Sequence, residues 1–191
     1  MFSLKKPSDA EIRQFLRVQQ SLPFSYLEVG ASRGDLPSGY TVDHNRVRLG
    51  EGQQVFDRAR QAIQGWEMFR VGWMRLLWPG ASIEAGTTVG LLTWQLGVWS
   101  LNACRVVYVI EEDEPVQKYG FAYGTLPDHA ERGEERFMVE WHHSDDSVWY
   151  DICAFSRPKQ FLAKAAYPFT RRLQKRFARD SMRAMLKAVH P

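Results

Sequence analysis

The sequence predicts an α+β fold in which a seven-stranded, curved antiparallel sheet wraps on a long C-terminal helix, with one helix before the first strand and one after it. Three observations predict it. The middle of the chain, 70–156, is a block of extended runs parted only by short turn chemistry; two helix-periodic segments precede that block; one long helix-periodic segment follows it.

Ser8 and Glu11 have capping-box spacing, and Ile12, Phe15, Leu16 and Val18 follow at roughly helical intervals, so the first helix is placed at about 8–20. Leu22-Pro23 ends it. Residues 24–40, with Gly30, Gly34, Gly39 and Pro37, read mostly as loop, and T-V-D-H-N-R-V-R-L then makes a strand up to Gly50. From Glu51 to Arg70 the positions Val55, Phe56, Ala59, Ala62, Ile63, Trp66 and Phe69 form one stripe of a helix. Six extended runs follow at about 70–78, 87–96, 99–111, 117–125, 134–143 and 147–156. Their connections are too short for parallel crossovers, so neighbours are antiparallel and the block is a meander. Leu162, Ala166, Phe169, Leu173, Phe177 and Met182 or Met185 then mark a long helix, with Pro168 kinking it or breaking off its first turn.

A sheet of this size twists and curls, and the apolar stripe of the last helix needs a surface to bury it; the concave face is the one available. The run K-Y-G-F-A-Y-G-T at 118–125 alternates Tyr119, Phe121 and Tyr123 on one face with Gly120, Ala122 and Gly124 on the other. The rings are expected on the covered face, continuous with Phe137, Val139 and Trp141 and with Val148, Tyr150, Ile152 and Ala154. The bare row is then expected to face solvent or a partner.

With 191 residues, 45% apolar and 25% charged, the chain is expected to form a single domain over 1–191, of which 1–23 is an N-terminal helical extension. No segment approaches the roughly 20 unbroken apolar residues of a membrane span, and the N-terminus has no signal-peptide core, so a cytoplasmic location is expected. Cys104 and Cys153 make no C-x-x-C pair and are expected as buried thiols. The net charge of +3 is unevenly spread: 111–151 is strongly acidic, and 159–191 carries nine Lys or Arg against Asp180 alone.

Several strings resemble an uncharacterised family known as domain of unknown function nineteen-ninety: F-S-Y-L-E-V-G at 24–30, G-F-A-Y-G-T-L-P-D-H at 120–129, G-E-E-R-F at 133–137, D-S-V-W-Y at 146–150, A-F-S-R-P at 154–158 and R-R-L-Q-K-R-F at 171–177. The resemblance covers about 24–188. That family is grouped with the START-like superfamily, the helix-grip fold of the birch pollen allergen and of lipid-transfer domains. The resemblance implies a cavity between sheet and C-terminal helix, and brings no catalytic residue. T-W-Q-L-G-V-W-S-L-N at 93–102 departs from it, being more aromatic than the family pattern implies.

The leading functional expectation is binding of an apolar or amphipathic small molecule in that cavity, with Tyr26, Tyr108, Phe121, Tyr123, Trp141, Tyr150 and Phe169 lining it and Arg157 or Arg171 fixing a polar end. Either arginine could instead form a structural ion pair. One alternative is an enzyme of cyclase or hydrolase type recruiting His129, Tyr123 and Asp151. Another is an interaction module using the basic helix face of Arg171, Arg172, Lys175, Arg176, Arg179, Arg183 and Lys187, on nucleic acid or an anionic membrane surface. No cofactor is expected. His142-His143 with Asp145-Asp146 has metal-binding residue types, but adjacent strand residues point apart, so no metal site is expected there; Glu134-Glu135 fails as a carboxylate pair for the same reason.

Overall fold

The first helix begins where its cap dictates. In the computed structural model, which describes residues 1–78, 80–158 and 167–190, the Ser8 side chain accepts from the Glu11 backbone N–H, and the Glu11 carboxylate accepts from that of Ser8 at 2.7 Å. Helix α1 spans Asp9–Gln20 and buries Ile12, Leu16 and Gln19. A two-residue strand, β1 at Phe2–Ser3, precedes it and was not expected.

Strand β2, Thr41–Glu51, leads through Gly52 (φ 83°) into α2, Gln53–Gln64. The expected single helix to Arg70 is corrected here. Gly65 closes α2, Trp66 turns left-handed at φ 56°, and Glu67–Phe69 form a separate 3₁₀ turn. The apolar stripe is real, but its last two rings reach the core from a turn rather than from a continuing helix. Strand β3, Met74–Leu77, is shorter than expected, because 70–73 are spent leaving that turn. Then come β4 (Thr88–Gln95), β5 (Val98–Glu112), β6 (Gln117–Thr125), β7 (Glu131–His142), β8 (Ser147–Pro158) and the helix α3 (Tyr167–Val189). Leu162 and Ala166, expected at the start of that helix, lie outside the described residues, and Pro168 falls in the helix's first turn. No helix among the described residues is long and apolar enough to cross a membrane.

The sheet runs β2-β8-β7-β6-β5-β4-β3, all antiparallel, with β1 beside β5. The six central runs form the expected meander, and β2 joins it at the far edge, against β8. Register sorts the faces. Val47, Tyr150, Val139 and Tyr119 are aligned across β2, β8, β7 and β6, and with Phe121, Phe137 and Ile152 they make the concave wall. Helix α2, the 3₁₀ turn and α3 pack against that wall, α3 burying Phe177, Ala178, Ser181, Met185 and Val189 at three- and four-residue spacing.

The convex face is also covered. Helix α1 buries Leu16 with Leu92, Leu101 and Leu126. The row Gly120, Ala122, Gly124 does not face solvent: all three are buried, Gly120 against Phe137 and Met138 of the neighbouring strand and Gly124 beneath Tyr26 of the 24–34 segment. A Cβ at Gly124 would run into the Tyr26 hydroxyl, so glycine there is a seat for a ring. Glu134, 3% exposed, anchors that segment: it accepts from the Tyr26 hydroxyl at 2.6 Å, from the Gly30 N–H at 2.8 Å and from the Ser32 N–H at 3.0 Å. With the Ser32 hydroxyl, four donors hold this side chain inside the protein, with no cation in contact among the described residues.

Candidate functional site

Along the concave face the chemistry changes from one end to the other. At the end nearer α2 the interior is filled by the protein's own rings. Trp66 meets Phe121 edge-on at 4.8 Å between centroids, and Phe69 lies 5.4 Å from Phe137, 5.5 Å from Phe177 and 6.0 Å from Tyr123. The Tyr150 hydroxyl is satisfied by Ser181 of α3 at 2.9 Å.

At the other end, beneath the first turns of α3, the same strand parity delivers polar groups. Asp43 of β2, Glu131 and Glu135 of β7 and Ser156 of β8 continue the face that carries Phe137 and Tyr150. Arg171 of α3 forms a bidentate ion pair with Asp43, its Nη2 2.6 Å from Oδ1, and also donates to Gln174. Gln174 passes its own amide protons to Glu131 at 2.6 Å and to Ser156 at 2.9 Å. Burial pushes the Glu131 carboxyl above its ordinary value.

Glu135 stands apart in this group. Its side chain keeps partial accessibility although protein surrounds it, which is the position of a group lining a recess. Among the described residues its carboxylate has one hydrogen bond, from the Tyr123 hydroxyl at 2.9 Å, and no cation in contact. Burial, with smaller contributions from the charges of Glu131 and Asp43, pushes it up to about 7. The Tyr123 phenol is driven well above its ordinary value, by burial first and then by the Glu135 charge.

Of the residues expected to line a cavity, Phe121, Tyr123, Trp141 and Tyr150 share the concave face, while Phe169 and Arg171 lie on the first turns of α3. Tyr26, Tyr108 and Arg157 are not brought to them. Tyr26 and Tyr108 meet Ser32 and Glu134 on the convex side, and Arg157 stacks on the Tyr40 ring at 4.4 Å. The trio His129, Tyr123 and Asp151 is likewise not assembled: Asp151 is held on the convex face by His44 at 2.6 Å and Arg136 at 3.0 Å, and His129 accepts from the Glu131 backbone. His142 contacts Glu140 and His143 packs on the Trp141 ring. Among the described residues no group of three or more metal-ligating side chains is gathered. On the basic helix face, Arg176, Arg179 and Arg183 surround Asp180, and Arg176 also covers the Trp73 ring. Two open depressions, about 480 and 270 Å³, flank α1 and lie away from the site.

Glu131, Ser156, Gln174 and Asp43 are not among the residues the sequence points to, and Glu135 enters there only as half of a rejected carboxylate pair. A clue existed: 131 and 135 have the parity of Phe137, Val139 and Trp141, so two carboxylates continue an apolar wall.

A family model described as domain of unknown function (DUF1990) matches residues 25–184. The chain belongs to that family. Relatives of the DUF1990 chain include a UPF0548 protein of Deinococcus radiodurans, 36% identical with 99% of each chain covered, and one of Dictyostelium discoideum, 34% identical with 99% of this chain and 96% of the relative covered. A third, from Arabidopsis thaliana, is 33% identical over 80% of this chain and 75% of its own. Among solved structures, a hypothetical protein of Helicobacter pylori aligns with TM-score 0.52 at 9% identity, covering 86% of this chain and 95% of that one. Ara h 8.0201 aligns with TM-score 0.47 at 9% identity over 78% of this chain and 99% of its own. The sheet order and helix packing above are those of a helix grip, an antiparallel sheet curved around a long C-terminal helix.

Proposed function

We propose that this DUF1990 protein binds an amphipathic small molecule at the polar end of the concave face, between the sheet and α3. The ligand's polar group sits against Glu135 and Tyr123, and its apolar part runs along Phe177 and Phe169. The observation that carries this reading is Glu135: among the described residues it is a recessed carboxyl with one hydrogen bond, whereas the buried carboxylates Glu134 and Asp151 each have at least two partners. START-like folds commonly bind hydrophobic ligands, which supports the reading. The ring-filled end limits the apolar part to a short one. Free, buried Cys104 and Cys153 suit a reducing compartment, the cytoplasm.

Native mass spectrometry of the full chain purified from its own host is the test. A copurified small molecule that Glu135→Gln loses, with the fold intact, is the expected result. Bare protein mass, together with no thermal shift on adding decanol or decylamine, overturns it. The same carboxyl favours a second reading, acid–base chemistry, because a group titrating at about 7 exchanges its proton at neutral pH. Conversion of the copurified molecule by wild type and not by Glu135→Gln would select it.

A further inference from the structure

The aromatic stretch 93–102 takes no part in the site above, and the strand register shows where it goes. β3 accompanies β4 only as far as the pair Met74↔Thr93, and β6 accompanies β5 only from Cys104↔Thr125. Residues 94–99 therefore project past both neighbours, flanked by β1 alone through Phe2↔Ser100 and Ser3↔Trp99.

This projecting end is apolar where a soluble turn would be polar. Leu96 is 80% exposed, Leu4 79%, Phe2 66% and Trp94 46%. Trp94 and Trp99 pack together with centroids 5.0 Å apart. Leu96 holds the left-handed region at φ 50° beside Gly97 at φ 78°, in a two-residue turn where asparagine or aspartate would be the favourable choice. The backbone thus bears a strained leucine whose side chain contributes nothing to the core. Lys5 and Lys6 follow directly, and the Lys6 ammonium lies 5.6 Å from the Trp99 ring centroid. The next acids along the chain, Asp9 and Glu11, belong to the first turn of α1, where Glu11 is tied to Ser8.

We propose that this hairpin end docks the protein on an anionic membrane surface, with Leu96 and Leu4 inserted, Trp94 and Trp99 at headgroup level, and Lys5 and Lys6 against anionic headgroups. Size separates this occupant from a protein partner. A specific protein interface uses about 800 Å² on each side, whereas a projecting hairpin end offers a handful of side chains. A bilayer interface needs only a few apolar insertions, amphipathic rings at its boundary and nearby cations.

Co-sedimentation of the full chain with vesicles of phosphatidylcholine alone, or of phosphatidylcholine with phosphatidylserine, tests it. Binding to the anionic vesicles is expected, lowered about tenfold or more by Lys5→Glu with Lys6→Glu. Leu4→Ser with Leu96→Asn is expected to lower it comparably. Because asparagine suits the left-handed position, Leu96→Asn alone should keep or raise the melting temperature while weakening vesicle binding, a combination that a purely structural leucine would not give. No sedimentation with either vesicle, equal sedimentation of wild type and hairpin variants, or a dimer in size-exclusion chromatography that the hairpin variants split would each overturn the proposal.

Discussion

The two ends of the concave face are made of the same strands with the same parity, yet one is closed and the other charged. At the closed end a 3₁₀ turn drops Trp66 and Phe69 onto Phe121, Phe137 and Phe177. At the charged end Asp43, Glu131, Glu135 and Ser156 take the positions that rings hold further along. Curvature of a sheet against a helix therefore does not by itself leave room for a ligand. A short turn after α2 can fill that room, and the proposed ligand site is confined to the part of the face it does not reach.

The largest effect is expected where the closed end is emptied. Phe69→Ala removes a ring that is 3% exposed and should cost about 3–5 kcal/mol in urea unfolding, while leaving any ligand retained at the charged end in place. Loss of that ligand in a variant that still folds would mean the two ends act as one cavity.

A smaller, pH-dependent effect belongs to the charged end. Glu135 titrates at about 7 in the folded protein against an ordinary 4.5, so the native state holds a proton that the unfolded chain releases between those values. Its contribution is therefore full below pH 4.5 and falls as pH rises to 7. Glu135→Gln should match wild type near pH 4.5 and exceed it by about 2 kcal/mol at pH 7.5, the full shift being discounted for partial accessibility. Parallel melting curves across pH would contradict this. The smallest change is expected from Asp43→Asn, which removes one partner of Arg171: about 1 kcal/mol, with the Glu135 midpoint moving below 7 because one nearby negative charge is gone.

Much of the fold was legible because its periodicities are long: the Ser8 capping box, the period-2 runs of β5 to β8 and the stripe of α3 each repeat often enough to be unambiguous. The break at Gly65 was not, since Trp66 and Phe69 keep helical spacing although Trp66 itself turns left-handed. The site was legible only in part. Tyr123 and Arg171 were reachable as a ring on the covered face and a cation on the helix. Glu135 is hidden because in sequence it stands beside Glu134 as half of a carboxylate pair, whereas its relation is to Tyr123 across the ladder. Tyr26 was misplaced because nothing local says which face of a distant strand a loop will cover; that depends on the vacancy at Gly124.

The pairing of β2 with β8 sets an order of events during synthesis. His44 and Asp151, hydrogen-bonded across that ladder, are 107 positions apart, so the 41–51 segment leaves the ribosome long before its neighbour exists. Until β8 has been made it is an unpartnered strand, and closing this seam spans far more sequence than any of the hairpins between.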